Sequence, residues 1–169
     1  MGVMAEIGQM RWQNHYKFPL VSVTLEELVT WPGGPRSTRL LWWGIKRWQL
    51  ESHYLHFILA PGSQFGDESS WIGDTATILS KRRPCVTALI HGGEVSRKDI
   101  EWSLENDRTV LTLSRTRRLA DEAAGQPNRH KLITIVPANV EQRIIEAVKA
   151  ALSVHERNVL YQFLFSTMC

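Results

Sequence analysis

A chain of 169 residues suits a single domain, and 43% hydrophobic residues is enough to build a core. Charged residues at 22% exclude an intrinsically disordered chain, while a net charge of +3 and a pI near 9.1 would welcome an anionic ligand but are too weak a basic field to argue for nucleic acid. The two cysteines, Cys85 and Cys169, make no zinc or disulfide pattern, no apolar run approaches a membrane span, and Met1 to Trp12 lacks a signal-peptide core, so a soluble, cytoplasmic protein without membrane insertion is expected.

Apolar residues at Val3, Met4, Ile7 and Met10 have helical spacing. Phe18 to Val23 reads as a short buried strand with a proline near its start. Residues 24 to 52 are the least regular stretch, and Trp31-Pro-Gly-Gly-Pro35 demands a turn. Leu40 to Trp43 and Trp48 follow without a clean period, as in an inserted loop. Seven tryptophans are present, four of them between positions 31 and 48, and core packing is their expected role.

The rhythm then becomes regular. His56 to Ala60 is an apolar strand ended by Pro61-Gly62-Ser63, and a helix follows with Trp71, Ile72, Ala76 and Leu79. Val86 to Ile90 is the next strand, ended by His91-Gly92-Gly93-Glu94. Ser96 is read as opening a helix, with Asp99 completing a capping-box pattern. Thr109 to Leu113 is a third strand, followed by Ser114 to Arg118 and a short helix broken at Gly125-Gln-Pro127. Lys131 to Val136 is a fourth, stopped by Pro137, and Asn139 is placed to cap a last helix carrying Val140, Ile144, Ile145, Val148 and Leu152. Tyr161 to Cys169 is a short apolar tail. Strands that are continuously apolar and alternate with helices imply an α/β fold, with an open parallel sheet covered by helices on both faces.

Ligands of such sheets bind beyond the carboxyl ends of the strands, and three loops fall there. Gly62-Ser63 lets backbone approach a ligand, and Glu68 stands at the next helix start. Gly92-Gly93 lies near a helix N-terminus, where anions are favoured. Ser114 to Arg118 supplies Thr116 and guanidinium groups suited to phosphate. Glu94 suits either ribose hydroxyls or the helix dipole, and both readings stand. Asp67 and Glu68 divide between ligand contact and capping, with capping favoured. His91 is placed for contact. No catalytic triad, metal-ligand spacing, GxGxxG or P-loop occurs, which excludes an ordinary dinucleotide dehydrogenase and an NTPase.

Pro61 to Trp71, Val86 to Glu94 and Ser114 to Asp121 together resemble the prokaryotic LSDAT domains of the SLOG superfamily. That superfamily also holds the cytosolic N-terminal region of TRPM channels and the LOG, or lysine-decarboxylase-like, phosphoribohydrolases. The resemblance implies a Rossmann-like fold over residues 1–153, with 154–169 as a C-terminal tail. It also implies non-catalytic sensing of a nucleotide-derived, ADP-ribose-like ligand, without a cofactor. The ligand residues carried over are Gly62, Ser63, Glu68, Gly92, Gly93, Glu94, Thr116 and Arg118. Self-association, or an effector or membrane partner protein, is implied too. Two departures qualify this. The family opens with a strand and glycine-rich loop before a Gly-Val-Met helix, whereas Gly2-Val3-Met4 stands at the very start here, so the first portion is read as missing. The third loop commonly reads Gly-Thr-Gly-Arg, and here it is Arg115-Thr116-Arg117-Arg118, which asks arginine to adopt backbone angles natural to glycine. The competing readings are a LOG-like N-glycosidase and a truncated, non-functional family member.

Overall fold

The computed structural model describes residues 3–31, 47–81, 83–125, 130–153 and 163–164. The expected turn at Pro32 to Pro35, the Leu40 to Trp43 run and the Gln126-Pro127 break lie outside the described residues. The chain divides into two compact units, Met1–Glu68 and Ser69–Cys169.

In the first unit helix α1 (Val3–Gln13) leads to strand β1 (Val21–Leu25). The strand begins three residues later than the apolar run suggests. Pro19 has no amide to give a ladder, and the carbonyl of Leu20 accepts the amides of Leu55 and His56 at 3.1 and 3.2 Å, so regular pairing starts at Val21. β1 runs parallel to β4 (His56–Ala60), with Val21 opposite His56 and Leu25 opposite Ala60. Between them the stretch read as irregular is partly ordered. A 3-10 turn, Glu26–Leu28, turns Leu28 back onto Leu25 and Ala60. The two-residue strands β2 (Val29–Thr30) and β3 (Trp48–Gln49) then pair in parallel.

The second unit is built on a four-stranded parallel sheet. Its strands are β5 (Val86–Ile90), β6 (Thr109–Ser114), β7 (Ile133–Pro137) and β8 (Phe163–Leu164), in the order β7-β6-β5-β8. Its helices are α2 (Ser69–Ser80), α3 (Glu94–Glu105), α4 (Leu119–Gly125) and α5 (Glu141–Ser153). Because successive strand residues point to opposite faces, the apolar runs feed two cores at once. Val86 and Leu111 pack against Val148 and Leu152 of α5 on one face. Leu89 and Val110 pack against Leu119 and Ala120 of α4 and Ile100 and Leu104 of α3 on the other. This is the mixed α/β, Rossmann-like architecture expected from the sequence, with helices on both faces of the sheet. The apolar tail contributes an element the sequence did not announce, since Phe163 and Leu164 pair with Val86 and Thr87.

Three further expectations are corrected. Helix α3 opens at Glu94, not at Ser96: Gly93 is the N-cap, and Ser96, three residues on, accepts the Gly93 amide through its hydroxyl at 3.3 Å. The Ser-x-x-Asp pattern therefore lies one turn inside the helix. Asn139 does not cap α5, because the carbonyl of Val140 takes the first helical bond, from Ile144 at 3.3 Å, and the Asn139 Oδ1 accepts from Arg115 Nη1 instead. Nor are the described tryptophans core residues: Trp12 and Trp31 are 63% and 61% exposed, Trp48 and Trp71 are exposed, and Trp102 is only half-buried.

The two-faced core gives a direct check. Leu111 is 1% exposed and sits between β6 and α5, so Leu111→Ala should cost about 2–5 kcal/mol in urea denaturation. Ile78→Ala, on the exposed side of α2, should stay within about 0.5 kcal/mol, with the slope unchanged in both variants.

Candidate functional site

In the first unit, the loop after β4 folds on its own carboxylates. Asp67 accepts the amides of Ser63 and Gln64 at 3.2 and 3.1 Å, and Glu68, which is buried, accepts the amide of Gly66 at 2.8 Å. Gly62 has φ 144°, and a Cβ there would lie 2.6 Å from that of Asp67, so only glycine lets the loop close onto the acid. The structure thus places Gly62, Ser63 and Glu68 in one self-satisfied turn, and Glu68 acts as a capping acid within it. Asp67, weighed in the sequence between ligand contact and capping, is the acid that closes the turn.

In the second unit, parallel pairing of β5 with β6 brings their carboxyl ends side by side, Ile90 opposite Leu113. The loops that follow are therefore neighbours. The Thr116 hydroxyl joins them, accepting the His91 amide at 2.8 Å and donating to the Leu113 carbonyl at 2.7 Å. The carbonyl of His91 in turn accepts the Ala120 amide at 3.0 Å. Thr116 is thus a tie between loops, and its hydroxyl proton is already committed.

Beyond this tie, Gly92, Gly93, Glu94 and Arg118 come together around an open cleft of about 390 Å³, with Arg97, Leu119 and Glu122 completing its lining. Gly92 has φ 70°, and a Cβ there would stand 2.8 Å from the Leu89 side chain. Gly93 has no side chain with which to cap α3, so the first amides of a twelve-residue helix carry no N-cap side-chain partner. The Arg118 guanidinium lies over this end, its Nη1 3.9 Å from where a Gly93 Cβ would be. Glu94, 82% exposed at the side chain, is ion-paired with Arg97 at 3.0 Å, and Arg97 also reaches Glu122 at 3.1 Å. Hydrogen bonds that Arg97 donates to these two carboxylates, Glu94 first, raise its pKa above the ordinary value.

The loop carrying Arg118 is strained. Arg115, Arg117 and Arg118 have φ of 68°, 74° and 53°, the left-handed region that favours glycine. Each such non-glycine residue costs about 1–3 kcal/mol and persists only where its surroundings hold it. Here Asp121 does so. Its carboxylate accepts the backbone amide of Arg115 through Oδ1 and that of Arg117 through Oδ2, the latter at 2.9 Å. Asp121, Arg97 and Glu122 are the site residues that sequence reasoning missed. The only signal for Asp121 was an acid in the first turn of a helix, which the helix dipole alone explains as well.

The family model described as SLOG in TRPM, prokaryote (LSDAT_prok) matches residues 1–155. The chain belongs to this prokaryotic LSDAT family. No curated protein matches it. Among the described residues, no helix of the LSDAT chain is long and apolar enough to cross a membrane.

The strain is measurable. Arg117 is exposed and its backbone amide, not its side chain, is what Asp121 holds, so Arg117→Gly should stabilise the chain by about 1 kcal/mol, raising the urea midpoint at constant slope.

Proposed function

We propose that this LSDAT chain is a binding module for a nucleotide-derived anion, ADP-ribose-like in class, which docks a phosphate between the start of α3 and the Arg118 guanidinium and is not turned over. The observation that carries this reading is the meeting of two positive features. The start of α3 carries the positive end of its helix dipole, with amides that have no N-cap side chain, and Arg118 stands beside it with no carboxylate partner among the described residues. A cation at that end of a helix is electrostatically unfavourable alone, and an anion between the two relieves both.

The other loops support the choice by contrast. The loop after β4 fills its amides with Asp67 and Glu68, and the loop after β6 fills Arg115 and Arg117 with Asp121. The loop after β5 has neutral hydroxyls on its bonded amides, Thr116 on His91 and Ser96 on Gly93. Glu94 and Glu122 are drawn toward Arg97 at the cleft wall, where carboxylates suit the hydroxyls of a ribose. Cytoplasmic location and a separate effector or membrane partner belong to the same proposal, as does self-association.

Thermal melts of the chain with AMP, ADP-ribose, cyclic ADP-ribose, NAD and ATP test this. At least one should raise the midpoint in proportion to the logarithm of its concentration, and Arg118→Ala should remove at least about tenfold of the affinity. A panel that leaves the midpoint unmoved sinks the proposal. Release of adenine from AMP would replace it by a phosphoribohydrolase.

A further inference from the structure

We infer that Asp121 is a positioning residue for the ligand cleft: its carboxylate holds the loop after β6 in the left-handed path from which Arg118 reaches over Gly93. The inference rests on the cleft being the ligand site and adds to it the group that makes Arg118 available.

Asp121 lies in the first turn of α4, three residues after Arg118, whose carbonyl accepts its backbone amide at 3.1 Å, and it is not part of the cleft lining. Its two oxygens each take one amide, Oδ1 from Arg115 and Oδ2 from Arg117. Those amides belong to two of the three arginines held at left-handed angles, and Arg118 follows at once as the third. Without the carboxylate, Arg115 and Arg117 would relax toward negative φ. Reversing the sign of φ at Arg117 swings the following residue away from its present direction, so the guanidinium would leave the start of α3. The rest of the loop does not depend on Asp121 in the same way. Thr116 is tied separately to His91 and Leu113, and the Arg115 guanidinium to Asn139. The anchor for β5 and β6 therefore survives while the direction of Arg118 is lost. Asp121 presents a carboxylate to a pair of loop amides, as a phosphate would, so this loop is closed to the ligand by its own acid and serves to aim an arginine instead.

The test is a pair of comparisons with ADP-ribose as probe, and with whichever panel nucleotide binds if that one does not. Asp121→Asn should weaken binding roughly tenfold in the wild-type background and less than about twofold in Arg118→Ala, because the residue acts through Arg118. Equal losses in both backgrounds, or none in the first, overturn the inference while leaving the cleft as the site. If Asp121→Asn melts without cooperativity, the same comparison is made with glycine at positions 115 and 117, where the left-handed turns carry little strain. A readout without ligand separates this inference from the proposed function. Amide exchange at Arg115 and Arg117 should be slow in the wild type and at least about tenfold faster in Asp121→Asn, with β6 unchanged. Unchanged exchange at both amides overturns the inference whatever the nucleotides do.

Discussion

Parallel pairing of β5 with β6, in register from Val86 opposite Thr109 to Ile90 opposite Leu113, is the constraint from which the site follows. Parallel strands end at the same edge, so the segments leaving Ile90 and Ser114 must turn within reach of each other. Each then enters a helix on the face shared by α3 and α4, whose side chains Ile100, Leu104, Leu119 and Ala120 close over Leu89 and Val110. The depth of that core fixes how close the two helix starts can come. Thr116 bridges the remaining gap, with one hydroxyl serving both a β5-loop amide and a β6 carbonyl. The cleft beside Gly93 is the space left when those contacts have been made.

The sheet was legible in the sequence because its strands are apolar on both faces. Val86 to Ile90 and Thr109 to Leu113 have no polar phase to hide them, and the glycines and arginines that end them stand out. What failed was finer than element type. A Ser-x-x-Asp pattern fits equally at the N-cap and one turn inside a helix, and only the backbone of Gly93, extended at φ −117°, decides between them. Asn139 is a good cap by composition, but an arginine from a distant loop claims its oxygen, which no local pattern records. The tryptophans were misjudged for a related reason. Burial of an indole needs a partner surface, and spacing along the chain does not say whether one is present.

The candidate residues were legible as a set of loops, not as a set of roles. Gly92, Gly93, Glu94 and Arg118 gather at one cleft, whereas Thr116 spends its hydroxyl on the scaffold and Glu68 on its own turn. The resemblance to a Gly-Thr-Gly-Arg loop marked Arg115 and Arg117 as a demand on φ, and the structure meets that demand with strain and a countering carboxylate. Asp121 could not be assigned beforehand, since its partners lie six and four residues upstream, outside the spacing of ordinary helix caps.

Charge distribution among the loops is the remaining step. Anionic ligands and carboxylates compete for the same backbone amides, and a loop that has folded around its own acid offers a phosphate a repulsive, already satisfied surface. Asp67 and Asp121 impose that condition on the loops after β4 and β6. After β5 the corresponding partners are the Thr116 and Ser96 hydroxyls, which carry no charge, and the nearby acids Glu94 and Glu122 are turned toward Arg97. Two carboxylates and two guanidinium groups line the cleft, so its charges balance in number, but both acids are paired with Arg97. What is uneven is their placement: Arg118 is left beside the positive end of the α3 dipole with no carboxylate partner among the described residues, and the proposed reading rests on that local imbalance rather than on net charge.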